Sequence, residues 1–152
     1  MTFAARHFTL GELTKSDLAL RHNIDNAPHE AAIEAMQRLT VAVLEPLRLH
    51  FARPVVIRSG FRCLELNALC GSGSHSQHTK GEAADIEIPG VQNLHLARWI
   101  RDNLEYDQLI AEYLSPDDPY AGWVHVSYVG ARNRKECLTI NHAGTQTGLP
   151  EK

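Results

Sequence analysis

Ser76-Gln77-His78-Thr79-Lys80-Gly81-Glu82-Ala83-Ala84-Asp85-Ile86-Glu87-Ile88 and, about forty residues later, Trp123-Val124-His125-Val126-Ser127 are the stretches whose reading decides the fold. Side chains on a strand alternate between its two faces. In the run Ala83 to Ile88, Ala84, Ile86 and Ile88 share one face, and Ala83, Asp85 and Glu87 take the other. In Trp123 to Tyr128, Val124 and Val126 share a face opposite Trp123, His125 and Ser127. Each segment therefore predicts a strand with an apolar side for a core and a polar side for a site. If the two strands are neighbours, Asp85 and His125 meet. His78 precedes Asp85 by seven residues, across a loop containing Gly81, so its imidazole can fold back to the same point. Two imidazoles and a carboxylate are the donor types of a zinc centre with three protein ligands and one open position.

Outward from these strands the chain alternates between helical and extended patterns. Thr9 to Leu13 reads as a short lead-in, and Ser16 as the N-cap of a short helix ending near His22. Pro28 sits where the first turn of a helix tolerates proline. From there Ile33, Met36, Thr40, Val43, Leu44 and Leu47 recur at helical spacing to about His50, with Pro46 as an expected kink. Pro54 to Arg58 reads as a strand, Ser59 to Arg62 as a turn, Leu64 to Leu69 as a helix and Gly71 to Ser74 as a flexible loop. Asn93 to Leu104 reads as a second long helix. Asp107 to Tyr113 and Trp123 to Val129 read as strands joined by a Pro- and Asp-rich loop, and Glu136 to Asn141 as a last edge strand. Residues 1–7 and 143–152 are expected to be flexible tails. Helices come first and strands then dominate, which predicts an α+β fold, a small antiparallel sheet with helices packed on one side.

Composition narrows the function classes. With 152 residues, the chain is long enough for one domain with a real core, so residues 1–152 are read as a single domain. A formal net charge of -3 argues against a nucleic-acid binder, which needs a basic face. The densest basic patch, Arg132-Asn133-Arg134-Lys135, is short and reads as a solvated turn. Cys63, Cys70 and Cys137 form no C-x-x-C pair and imply neither a cysteine metal site nor a disulfide framework, and Cys63 and Cys70 read as packing residues. No stretch is long and apolar enough for a membrane span. The opening residues lack the apolar run of a signal peptide, so synthesis and folding in the cytoplasm are expected. Nothing in the pattern suggests a coiled coil or a repeated interface, and a monomer is expected.

The motif Ser-x-His-x-x-Gly-x-Ala-x-Asp, formed by Ser76, His78, Gly81, Ala83 and Asp85, resembles that of the zinc D-alanyl-D-alanine carboxypeptidase family, as does the Trp-x-His-x-Ser of Trp123, His125 and Ser127. D-Ala-D-Ala dipeptidases, phage L-alanyl-D-glutamate endopeptidases and the hedgehog signalling domain belong to the same superfamily. Ser59-Gly60-Phe61-Arg62 and the strand Tyr106 to Glu112 match further family segments, with agreement from about Phe8 to Tyr128. The resemblance implies a hedgehog/D,D-peptidase-like fold and one zinc ion per chain, held by His78, Asp85 and His125. It implies that Arg62 contacts the substrate and the developing oxyanion, a task suited to a planar, permanently charged fork of donors. Ser76, Trp123 and Ser127 are carried over as substrate contacts. The general base is where this chain departs from the pattern. Some relatives place an acid three residues before the last histidine, where this chain has Gly122; others place a histidine two before it, where this chain has Trp123. Glu112 is the expected base, with Asp117 and Asp118 as alternatives, because alternation alone does not settle which face Glu112 takes. The implied substrate is the peptide stem of peptidoglycan, cleaved by a D,D-carboxypeptidase or an endopeptidase. A phage or prophage lysis enzyme that acts on the cell wall after release is the expected setting. The alternative is a non-catalytic, zinc-containing wall-binding or interaction module.

Overall fold

The computed structural model describes residues 2–151. Two short helices, α1 (Leu10–Thr14) and α2 (Asp17–Arg21), lead in. The lead-in at Thr9 is thus a helix start. The Thr9 side chain accepts the Glu12 N–H while the Glu12 carboxylate accepts from the Thr9 backbone, a reciprocal cap that stabilises even five residues. Ser16 caps α2 as its position predicts.

The long helical pattern resolves into α3 (Glu30–Leu39), a π-helical turn (Thr40–Leu44) and α4 (Glu45–Phe51). The Glu45 N–H reaches back five residues to the Thr40 carbonyl. This widened turn lies just before Pro46, which has no N–H to donate to the preceding turn of a helical backbone that runs on without a break. The expected kink is therefore a π bulge upstream of the proline.

Strands β1 (Val56–Ser59), β2 (Ala83–Glu87), β3 (Gln108–Glu112), β4 (Trp123–Ser127), β5 (Glu136–Asn141) and β6 (Gly144–Thr147) form one sheet in the order β1-β2-β4-β3-β5-β6. Helix α5 (Leu64–Leu69) follows β1, and α6 (Asn93–Asn103) connects β2 to β3. The fold is α+β, as expected, with two corrections. The sheet is not wholly antiparallel, because β5 runs parallel to β3. After β4 the chain crosses back to the start of β3, where Asp107 accepts from the Arg134 backbone and side chain, and β5 sets out beside it in the same direction. Nor is β5 an edge strand, since β6 pairs outside it.

The two terminal segments expected as flexible tails are anchored instead. Gln37 bonds both the N–H and the carbonyl of Ala4, Glu45 accepts from the His7 backbone, and Phe3 packs on the core. At the other end, residues 144–147 form β6, and Arg98 donates to the Pro150 carbonyl at 2.6 Å. Met1 and Lys152 lie outside the described residues.

The core lies on the side of the sheet to which Ala84, Ile86, Leu109, Ala111, Val124 and Val126 point. It joins them to Leu39, Val43 and Leu47 of the α3–α4 rod and to Leu96 and Ile100 of α6, all fully buried. Burying each large side chain contributes about 1.5–3 kcal/mol, so this face supplies most of the folding free energy. The opposite face of β2, β3 and β4 is left for polar groups. Among the described residues no helix is long and apolar enough to cross a membrane.

Candidate metal centre

β2 and β4 are antiparallel neighbours, and Asp85 stands directly opposite His125. The His125 Nδ1 lies 3.0 Å from the Asp85 Oδ1. His78 arrives on a single 3-10 turn, Gln77–Lys80, whose first free N–H, that of His78, is accepted by the Ser76 hydroxyl at 3.3 Å. Gly81 ends the turn at φ +74, and a Cβ there would overlap the Ala32 carbonyl of α3, so only glycine lets the turn seat this closely on the helix. The His78 Nδ1 donates to the Gly60 carbonyl at 2.8 Å, which fixes the tautomer and leaves Nε2 as the lone-pair nitrogen, 3.5 Å from the Asp85 Oδ1. The same His78 is held from its backbone, because its carbonyl accepts the Arg62 N–H.

The three donor atoms lie within 4.8 Å of one another. For bonds of about 2.0–2.1 Å, a tetrahedral ion requires donors roughly 3.3 Å apart. The separations of 3.0 and 3.5 Å to Asp85 bracket that value, so the two-nitrogen, one-oxygen set fits zinc in chemistry and in size. All three side chains are at least 85% shielded, so an ion here has little competition from bulk water on the protein side.

The charges are arranged in opposition. Burial pushes the Asp85 carboxyl up, but hydrogen bonds from His125 and His78 outweigh it and hold the group well below the usual carboxylate range. Glu112 behaves the other way. Burial raises it, the Asp85 charge raises it further, and His125 and Arg62 oppose both only in part. Two nearby carboxyls with affinities pushed apart are the pattern of a ligand paired with a proton carrier.

β3 also settles the face of Glu112. Leu109 and Ala111 point into the core, Ile110 lies opposite His125, and Glu112 lies opposite Trp123. Glu112 therefore joins Arg62, His78, Asp85, Trp123 and His125 around one cleft of about 380 Å³. Gly122 shows why the acid is not where some relatives carry it. Its φ is +77, and a Cβ would run into the Glu112 carbonyl and lie 2.7 Å from that of Tyr113. This backbone has no room for a side chain at 122, and the carboxylate comes from the neighbouring strand.

Arg62 borders the cleft, and its buried Nε has no hydrogen-bond partner among the described residues. Such a donor is costly to leave unmet, which suits a group awaiting a ligand. Trp123 lines the cleft with the Arg58 guanidinium 5.0 Å above its ring. Ser76 is engaged as the cap of the His78 turn but also borders a second, polar groove of about 520 Å³ that shares His125 with the cleft. His75, Lys80 and Arg132 line this groove too.

Other expectations are corrected. Ser127 is fully buried, with its hydroxyl accepting the Gln108 N–H at 3.0 Å, so it braces β3 against β4 and cannot touch a substrate. Asp117 and Asp118 lie on the β3–β4 loop, and the Asp118 carboxylate is occupied by the Tyr120 N–H; neither borders the cleft. Cys70 is exposed at the cleft rim rather than packed, because α5 ends at Leu69. The basic patch is exposed, as a solvated turn would be, but Arg134 is also tied down: it clamps Asp107 through Nε and Nη2. The Gly60 carbonyl, which orients His78, was hidden in the Ser-Gly-Phe-Arg turn, since a backbone acceptor leaves no residue-type signal. Tyr113 also borders the cleft, although alternation along β3 assigns it to the core side.

A ligand trio at the floor of a cleft, a carboxyl of raised affinity beside it and an unmet arginine donor define a metallohydrolase class of site. Residues 6–127 match the family model described as Peptidase M15, and the chain belongs to that family of zinc metallopeptidases. No curated protein matches the chain.

Proposed function

We propose that the protein hydrolyses an amide bond in the peptide stem of peptidoglycan, as a carboxypeptidase or endopeptidase, with His78, Asp85 and His125 holding one zinc ion. The observation that carries this reading is the convergence of Glu112, Arg62 and the ligand trio on one cleft. When bound, zinc supplies Lewis-acid polarisation of the scissile carbonyl and acidifies the attacking water. Glu112 takes the proton released by that water and delivers it to the leaving amine. Burial in the cleft raises its proton affinity, which suits one group serving both as base and as acid. Arg62 donates to the carbonyl oxygen as negative charge develops there. Trp123 and the rim of the cleft shield the reacting groups from solvent. A cell-wall lysis enzyme is the setting we propose for this activity.

Glu112 on the cleft face gives the site a carboxylate that Gly122 cannot supply, which favours the peptidase over a non-catalytic zinc-containing module. The test is release of products from purified muropeptides by the zinc-loaded protein, followed by mass spectrometry, before and after chelation. Product formation that stops on chelation and returns with zinc is expected, and the product masses identify the bond. No product from the zinc-loaded protein overturns the reading.

A further inference from the structure

Tyr113 follows β3 directly. Continued alternation would send its side chain into the core with Leu109 and Ala111. Instead its backbone is left-handed, at φ +57, a conformation that a bulky aromatic residue rarely adopts. The turn reverses the alternation, so Leu114 packs on the core and the Tyr113 ring emerges on the cleft face. There it lies 5.4 Å from the Trp123 ring and 5.0 Å from that of His142. Its N–H is held by the Ile140 carbonyl of β5 at 2.8 Å, and its carbonyl lies close against Gly122, the residue before β4. The side chain is 36% exposed, and its hydroxyl has no hydrogen-bond partner among the described residues. Glycine or asparagine would meet the same φ with less strain. Strain at a braced position beside a reactive site is informative when it aims a functional group.

We propose that Tyr113 is a substrate-contact residue of the cleft, its ring forming the wall next to Trp123 and its hydroxyl donating to a main-chain carbonyl of an extended peptide. The inference rests on the peptidase reading for the identity of the ligand. A contact of this kind, made alike before and during reaction, sets binding more than turnover.

The experiment uses the zinc-loaded full chain, a synthetic peptidoglycan stem pentapeptide, and the variants Tyr113→Phe and Tyr113→Asn. Kd is measured by calorimetry in a Glu112→Gln background, KM and kcat in the background with Glu112 intact, and Tm in both. Tyr113→Phe is expected to raise Kd and KM about two- to tenfold, one hydrogen bond's worth, with kcat within about twofold. Tyr113→Asn is expected to weaken binding further while Tm holds or rises, because asparagine tolerates the left-handed backbone. A purely structural tyrosine gives the reverse: Kd and KM unmoved by Tyr113→Phe, and Tm lowered by Tyr113→Asn. That result overturns the inference and leaves the peptidase reading intact. Tyr113-dependent binding without cleavage by the Glu112-containing protein overturns the peptidase reading and supports the contact. Absence of both binding and cleavage overturns both.

Discussion

The two faces of β2, β3 and β4 are built from alternate residues of the same three strands, yet they follow opposite rules. On the helix-covered face, Ala84, Ile86, Leu109, Ala111, Val124 and Val126 are apolar and fully buried. On the cleft face, Asp85, Glu112 and His125 are ionisable and crowded, and Arg62 Nε and Trp123 Nε1 are buried without partners. One face satisfies every requirement of a stable core, and the other accumulates unmet ones. A fold tolerates such concentrated violation only where another part supplies the stability, and the violations then mark the chemistry. Separating the two within single strands means that function and stability should respond to different substitutions one residue apart.

The sharpest way to break that separation is Glu112→Gln. Turnover on muropeptides should fall about 10²–10⁴-fold, while zinc stoichiometry by elemental analysis stays at one and Tm does not drop. A large loss of Tm would show that the cleft face does support the fold. Leu109→Ala, three residues away on the other face, should cost about 2–5 kcal/mol in a denaturant titration and leave zinc affinity unchanged. Gly122→Glu places an acid where some relatives have one, and combined with Glu112→Gln it should not restore activity. The Cβ clash and the left-handed φ should instead destabilise the protein by roughly 1–3 kcal/mol. Recovered turnover in that double variant would break our account of why the acid changed strands.

The smallest effect concerns Asp107, whose carboxyl is held below its ordinary 3.8 by the Arg134 hydrogen bonds against the opposing effect of burial. A carboxyl lowered by folding adds stability above its unfolded pKa and loses that contribution as pH falls through the folded value. Asp107→Asn should therefore cost about 1–2 kcal/mol at pH 7, limited by solvent screening at half-exposed Arg134, and progressively less at an acid pH below 3.8. Urea titrations at the two pH values check the sign.

Much of this is legible in the sequence itself. The alternation in Ala83 to Ile88 and Trp123 to Ser127 was enough to place Asp85 and His125 on the polar face, and they prove to be direct cross-strand partners. The same logic failed one strand further on. Gln108, Ile110 and Glu112 mix polar and apolar types because Ile110 lies on the cleft face beside His125, so composition could not orient Glu112. Ser127 shares its strand face with His125 but is fully buried, its hydroxyl taken by the Gln108 N–H, a local burial that alternation does not encode. β6 left no trace, because Gly144 to Thr147 are polar and exposed and pair only through their backbone. The parallel setting of β5 followed from the Asp107–Arg134 clamp, a contact between residues 27 apart that no local pattern encodes.

The parallel pairing of β5 with β3 has one more consequence. β5 and β6 lie beyond residues 6–127, the part that matches the family model. They shield the outer backbone of the strand that ends in Glu112, and β6 presents Thr145, Gln146 and Thr147 as the sheet's new border. A chain shortened after Tyr128 would expose β3 as a raw, largely apolar edge, ready to accept a strand from another molecule. The C-terminal hairpin thus covers an edge that is otherwise open to pairing, and its removal should reveal itself as oligomers in solution.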